Sequence, residues 1–188
     1  MLESNLNHTR AIAHWAFVIV FAVIAAPAFA QPRYGLSPDA YAAFSRWMTS
    51  SCLGDEADAL REALRRHRVE LAPAFQRALA DGPPPEALRA VRSSAESRHA
   101  ELARFSINEY RIEGANVQAL TLQRRTSRQS YVADQAQRYA TGYRSNAVAG
   151  LGIVGGPQAR ATLSRMATRR TDPLGVAAAE ATKTLERE

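Results

Sequence analysis

The sequence has one cysteine, Cys52, so no disulfide forms within the chain and no paired-cysteine metal motif exists. It has one lysine, Lys183; every other basic side chain of this +6 protein, histidines aside, is an arginine. No long β-branched or strictly alternating segment occurs, which leaves a sheet without support. His-Glu-x-x-His and Gly-x-Ser-x-Gly are both missing, which removes two common hydrolase signatures. No twin arginine precedes the first apolar run, so that run reads as a signal for export of an unfolded chain.

That run is Trp15 to Ala26, WAFVIVFAVIAA, preceded by Arg10 and followed by Pro27 and the small-x-small triplet Ala28-Phe29-Ala30. It is shorter than the roughly 20 apolar residues that span a bilayer. Residues 1–30 are therefore expected to be a secretory signal cleaved after Ala30, with a periplasmic destination. An uncleaved anchor in the inner membrane is the alternative. Cys52 lies far beyond the run and is not placed as a lipid anchor.

An arginine-only basic set suits phosphate recognition, because the guanidinium fork matches phosphate oxygens. It also follows from a GC-rich coding sequence, which the abundance of alanine favours. The arginines are spread over every segment with acids between them, the pattern of solvated helix faces and not of a nucleic-acid patch.

Ala, Leu, Arg, Glu and Gln dominate the rest, and the chain reads as all-α. Ser37-Pro38 starts a helix expected to reach about Cys52, with Tyr41, Phe44, Trp47 and Met48 at apolar spacing and Gly54 as its stop. Asp55 is placed to cap a second helix with Ala59, Leu60, Ala63 and Leu64 on one face. A third, near Val69 to Ala80, carries Leu71, Phe75, Ala78 and Leu79. Asp81-Gly-Pro-Pro-Pro85 stops it and starts a fourth that extends to about Phe105, with Leu88, Val91, Ala95 and Leu102 apolar. A bend is expected over 106–114, with helices beyond.

A shift of 31 residues overlays the C-terminal part on itself: Tyr143 falls on Leu174, Ala147 on Ala178, Gly150 on Ala181 and Val132 on Leu163. Two helices per unit at such a period mark an α-solenoid. YRSNAVAGLGIVGGPQARATLSRMA followed by DPLGVAAAEATKTL resembles HEAT-like repeats of the short, bilin-lyase type. The shared features are the small-residue helix Ala147 to Leu151, the turn Gly155-Gly156-Pro157-Gln158-Ala159, the central Leu163 and the Asp172-Pro173 restart. The family's arginine after the first apolar residue is matched by Arg144, but Gly175 stands at the next such place. The resemblance covers about 143–186 clearly and 112–142 weakly. The expected organisation is a signal over 1–30, an N-terminal helical, bundle-like region over 31–111 and HEAT-like repeats over 112–188.

Gly150 to Gly155, GLGIVG, also satisfies the dinucleotide fingerprint G-x-G-x-x-G, and Asp172 lies near where a ribose-binding acid would stand. That fingerprint needs a preceding strand and a βαβ unit. Only Asn146-Ala-Val-Ala149 precedes it, so the glycines are read as close-packing and turn residues of a helical pair.

Chemistry-bearing residues are few. Glu96-x-x-His99 is a half-motif of a di-iron bundle, which needs a second copy and two further carboxylates. His67 and Glu70 read as a helix junction, and Cys52 has no base placed beside it by sequence. No catalytic residue, metal or cofactor is expected. An enzyme or metal site around Glu96, His99 or Cys52 is one alternative.

In HEAT-like arrays the second helices line the concave side, and by resemblance that side binds partners. Ala159, Leu163 and Met166 are expected to face inward. The opposite strip is Gln158, Thr162, Arg165 and Arg169, matched one period earlier by Ser127, Tyr131, Asp134 and Arg138. Tyrosine and arginine are frequent at binding hot spots. Tyr131, Asp134, Arg138, Thr162, Arg165 and Arg169 are thus the partner-binding set, for a protein partner with an acidic segment. The alternative is anionic lipid or polymer held by the arginines. The oligomeric state is left open by the sequence.

Overall fold

The structure, a computed structural model, describes residues 33–50, 56–104 and 126–186. Among them are seven α-helices and no strand: α1 (Pro38–Thr49), α2 (Ala57–Arg66), α3 (Arg68–Asp81), α4 (Pro85–Arg104), α5 (Arg128–Val154), α6 (Pro157–Ala167) and α7 (Pro173–Glu186). The all-α expectation holds. Residues 1–30, Cys52 and the bend at 106–114 lie outside the described residues.

Prolines and glycines set most boundaries. Pro38, Pro85, Pro157 and Pro173 each open a helix, where the missing N–H costs nothing. Gly82 ends α3, its N–H bonded to the Ala78 carbonyl. Gly155 and Gly156 take φ of 67° and 91° with extended ψ, a combination open to glycine alone, and so reverse the chain between α5 and α6. Pro73 sits inside α3, on its exposed side. It withholds the helical donor from the carbonyl of Val69, itself an exposed residue.

Helix α5, about 40 Å long at 1.5 Å per residue, is the mast of the fold. From Ala147 to Val154 it is buried at every position but Ala149. Phe75 of α3 lies against Gly150, and Arg144 reaches Leu79 and Gly82 at the end of α3, so α3 and α5 run in opposite senses. Glu96 and His99 of α4 meet Arg128 and Thr126, so α4 is antiparallel to α5 as well. Gly152 faces Ala181 and Gly155 faces Leu185, so α7 lies parallel to α5, with α6 as the return between them.

The main core joins Phe44 and Met48, Leu60 and Leu64, Leu71 and Phe75, Leu151 and Leu163, with alanines where the backbones approach. The Phe44 ring lies tilted against Phe75, with centroids 5.0 Å apart, and edge-to-face with Tyr34 at 5.5 Å. A smaller cluster of Ala95, Leu102 and Tyr131, flanked by Val132, holds the far ends of α4 and α5 together.

One boundary differs from the expectation. The overlay by 31 residues treats 127–138 as a second helix and 143 onward as the first helix of the next unit. The chain makes no turn there, because α5 runs unbroken from Arg128 to Val154. Gly142 lies in its middle without breaking it, since α3 and α4 pack on α5 to either side of that point.

The junction of α2 and α3 is one residue, His67. Glu70 folds inward from it. Its carboxylate accepts the Ser37 N–H at 2.8 Å, at the start of α1, and stands 3.8 Å from His67 Nδ1. That hydrogen bond, followed by the Ser37 hydroxyl and, more weakly, by His67, holds the Glu70 carboxyl below its ordinary value against a partial desolvation that raises it. Ser37 is thus the cap residue, as the sequence indicates, but the cap acts through its backbone and a carboxylate from another helix; its own hydroxyl caps nothing.

Candidate functional site: the arginine face of helix α6

GLGIVG is not a phosphate loop. Gly150 to Val154 form the last turn of α5, all of them buried, and only Gly155 lies in the turn. A Cβ at Gly150 would lie 2.5 Å from Phe75 Cε1, and one at Gly152 would lie 2.9 Å from the Ala181 Cβ. The glycines let α3 and α7 approach α5. No backbone N–H in that turn is free to point at an anion, since each belongs to the helix interior.

The departure at Gly175 has a similar cause. A side chain there would overlap the Arg169 carbonyl oxygen. Arg144, its counterpart one period earlier, donates from Nε to the Leu79 carbonyl at 3.3 Å with its guanidinium against Gly82. It neutralises the end of α3, where a cation suits the helix dipole.

The structure separates the six sequence-derived binding residues into two groups. Tyr131 is only 4% exposed and packs beside His99, with ring centroids 5.5 Å apart; its expected place on an outward strip is corrected to the core between α4 and α5. Asp134 and Arg138 are exposed but bind each other at 2.7 Å, four residues apart on one helix face. Thr162 is half-buried, and Arg165 and Arg169 are exposed on and just after α6. Ala159 and Leu163 are buried and Met166 packs on the core, as their spacing predicts. The strip over 127–138 is therefore split, with Tyr131 buried between α4 and α5 and Asp134 and Arg138 paired on the surface, and the α6 strip stands apart from it.

Two further residues join the α6 group. Arg160 and Arg170 are exposed there, so Gln158 to Thr171 carries four arginines and no acid. Asp172, the next acid, is turned to the Leu174 N–H, 3.0 Å away, at the start of α7. Among the described residues no carboxylate lies within ion-pair distance of Arg160, Arg165, Arg169 or Arg170. Arg46, Arg61, Arg65, Arg128 and Arg138 each have one, on Glu56, Asp58, Glu62, Glu96 and Asp134. Along α6 the outermost positions are Pro157, Ala161, Ser164 and Thr168, all exposed, with Arg160 on one flank and Arg165 on the other. The face is smooth, cationic and free of large apolar side chains. Sequence reasoning missed Arg160 and Arg170 because it followed one strip; the absence of acids from 158 to 171 is the signal that finds them.

The Glu96-x-x-His99 pair is engaged structurally. Glu96 binds Arg128 at 3.0 Å and the His99 Nε2 lies 3.0 Å from the Thr126 carbonyl, so both tie α4 to the start of α5. Among the described residues no three His, Cys, Asp or Glu side chains are grouped to hold a metal ion. No helix among them is long and apolar enough to cross a membrane. Comparison with protein-family models, with curated proteins and with solved structures gave no match.

Proposed function

We propose that the chain is an exported, non-enzymatic interaction module that holds a protein partner by an acidic segment laid along α6. The observation that carries this reading is the set of four exposed arginines on and just after α6, with no acid from 158 to 171 and no ion pair among the described residues, while the other face of α6 is locked in the core. Unpaired surface cations repel one another, and a carboxylate-bearing partner relieves that repulsion with bidentate hydrogen bonds. The smooth centre of the face, Pro157, Ala161, Ser164 and Thr168, lets an extended segment approach the helix backbone closely.

A HEAT-like character for 143–186 belongs to the same proposal. Its support is the parallel stacking of α5 and α7 with α6 returning between them. The facing pairs Gly152–Ala181 and Gly155–Leu185 are separated by 29 and 30 residues, close to the 31-residue shift. Export to the periplasm rests on Trp15 to Ala30 in the sequence.

The test is a titration of the full chain with a glutamate-rich peptide and with its glutamine counterpart. The glutamate peptide should bind, its affinity should fall steeply with salt, and R165E/R169E should weaken it at least about tenfold. Equal binding of the two peptides, or a variant that binds as the parent does, refutes the α6 face. Tight binding of an anionic polysaccharide by the parent, in place of the peptide, transfers the face from a protein to a polymer partner.

A further inference from the structure

We propose that the corner where α2 meets α3 is a second, separate contact surface, and that its partner is an anionic phospholipid bilayer. Val69 is 82% exposed, the most exposed large apolar side chain among the described residues; Val176, at 53%, is next. It stands beside the basic run Arg65-Arg66-His67-Arg68. Arg65, Arg66, Arg68 and Val69 are exposed, as is Pro73 one turn on, while Leu64 and Leu71 of the same two helices are fully buried. The chain therefore presents an exposed valine at a helix junction next to three exposed arginines in sequence.

The acids near this junction each have a partner. Glu70, next to Val69, is partly exposed, but its carboxylate is engaged by the Ser37 N–H at 2.8 Å and lies 3.8 Å from His67 Nδ1. Glu62 lies 4.0 Å from Arg65, and Asp58 is held by Arg61. Arg66 and Arg68 have no carboxylate within ion-pair distance among the described residues. A protein partner with a polar surface would cover the arginines but leave Val69 wet. The headgroup region of an anionic bilayer meets both demands, with phosphates for the arginines and the acyl boundary for the valine. Pro73 bounds the depth: it leaves the Val69 carbonyl without its helical donor, and that oxygen is satisfied by water at the interface but not in the hydrocarbon. The α6 face offers a contrast, since it is cationic without a large apolar side chain to insert. The corner does not depend on the reading of α6, and the two surfaces are separable by experiment.

The test places an environment-sensitive fluorophore on Val69→Cys in a Cys52→Ser background of the full chain, and on Ala161→Cys of α6 as a control. Phosphatidylcholine vesicles with and without phosphatidylglycerol are then added. The label at 69 should shift to the blue with the anionic vesicles alone, and adding R66E/R68E, with helicity unchanged, should weaken that response at least about tenfold. The label at 161 should not respond. No shift at 69, an equal shift with neutral vesicles, or a shift that survives charge reversal overturns the proposal. A shift at 161 alone overturns it too and moves the bilayer contact to α6.

Discussion

Trp47 and Asn146 hold each other from two helices far apart in sequence. The Trp47 Nε1–H donates to the Asn146 carbonyl at 2.7 Å. The Asn146 side-chain amide donates in turn to the carbonyls of Met48, at 3.3 Å, and Ser50, at 3.5 Å. One asparagine thus caps the end of α1 from the side of α5, satisfying carbonyls that a helix end leaves open. Asn146→Ala should cost about 1 kcal/mol, since those carbonyls retain partial access to water. Trp47→Phe should cost a similar amount, because it removes the only donor it can supply while keeping most of the apolar area. Urea midpoints of the two variants and their double mutant check this, and the double mutant should cost less than the sum of the singles.

The same substitution at two glycines of α5 should have opposite signs. Gly142 has nothing within 4 Å of an added Cβ, so Gly142→Ala should stabilise by about 0.5–1 kcal/mol through the lower entropy of the unfolded chain. Gly150 meets the Phe75 ring at 2.5 Å. Gly150→Ala should destabilise by about 1–3 kcal/mol despite its gain in helix propensity. Phe75→Leu in the Gly150→Ala background should recover part of that loss. Stability of the three variants and the parent by denaturant titration decides; a stabilising Gly150→Ala would mean that α3 is free to shift.

The titration of Glu70 gives a pH dependence with a definite sign. Its carboxyl is held below the ordinary 4.5, above all by the Ser37 amide. An acid with a depressed folded value contributes its stability above the unfolded value and loses it as pH falls through the folded one. The parent should therefore weaken on acidification through and below that range. Glu70→Gln keeps an oxygen for the Ser37 N–H but no charge, so it should be less stable than the parent at neutral pH and should not share this loss. Urea midpoints over descending pH would show the two curves converging in acid. Parallel curves would mean that the Ser37 contact does not discriminate the charged form.

Much of the fold is legible in the sequence where backbone chemistry is restrictive. Ser37-Pro38, Asp81 to Pro85, Gly155 to Pro157 and Asp172-Pro173 all mark real helix ends, because proline and glycine limit what the backbone does locally. The inward positions Leu60, Leu64, Phe75 and Leu163 are legible from the 3.6-residue period. The continuity of α5 is not, since whether the chain turns near Gly142 depends on what packs against both halves. The face of Tyr131 is not legible either. A tyrosine amid Ser, Asp and Arg reads as surface until α4 is placed over it, and nothing local announces that placement. Val69 stands off the apolar face of Leu71, Phe75 and Ala78, and the structure leaves it in water. The arginine face of α6 was half legible: its strip is periodic, but its lack of matching acids is a property of the whole segment and its neighbours.

The far ends of α4 and α5 should open before the rest of the fold. There the apolar support is the small cluster of Ala95, Leu102 and Tyr131, whereas 147–154 are enclosed by the main core. Glu96 with Arg128 and His99 with Thr126 add polar ties across the same end. The ion pair is exposed and is worth about 0–1 kcal/mol, while His99 also packs on the Tyr131 ring, so its removal leaves a gap as well as a lost hydrogen bond. His99→Ala should therefore speed amide hydrogen exchange in residues 130–136 and leave 147–153 unchanged, with Glu96→Ala acting in the same direction more weakly. Addition of iron or zinc should protect neither variant nor parent at this end, because Glu96 and His99 are already committed to Arg128 and Thr126. Uniform acceleration along all of α5 would show that the two clusters unfold together, and metal-dependent protection confined to the parent would return Glu96 and His99 to the list of ligands.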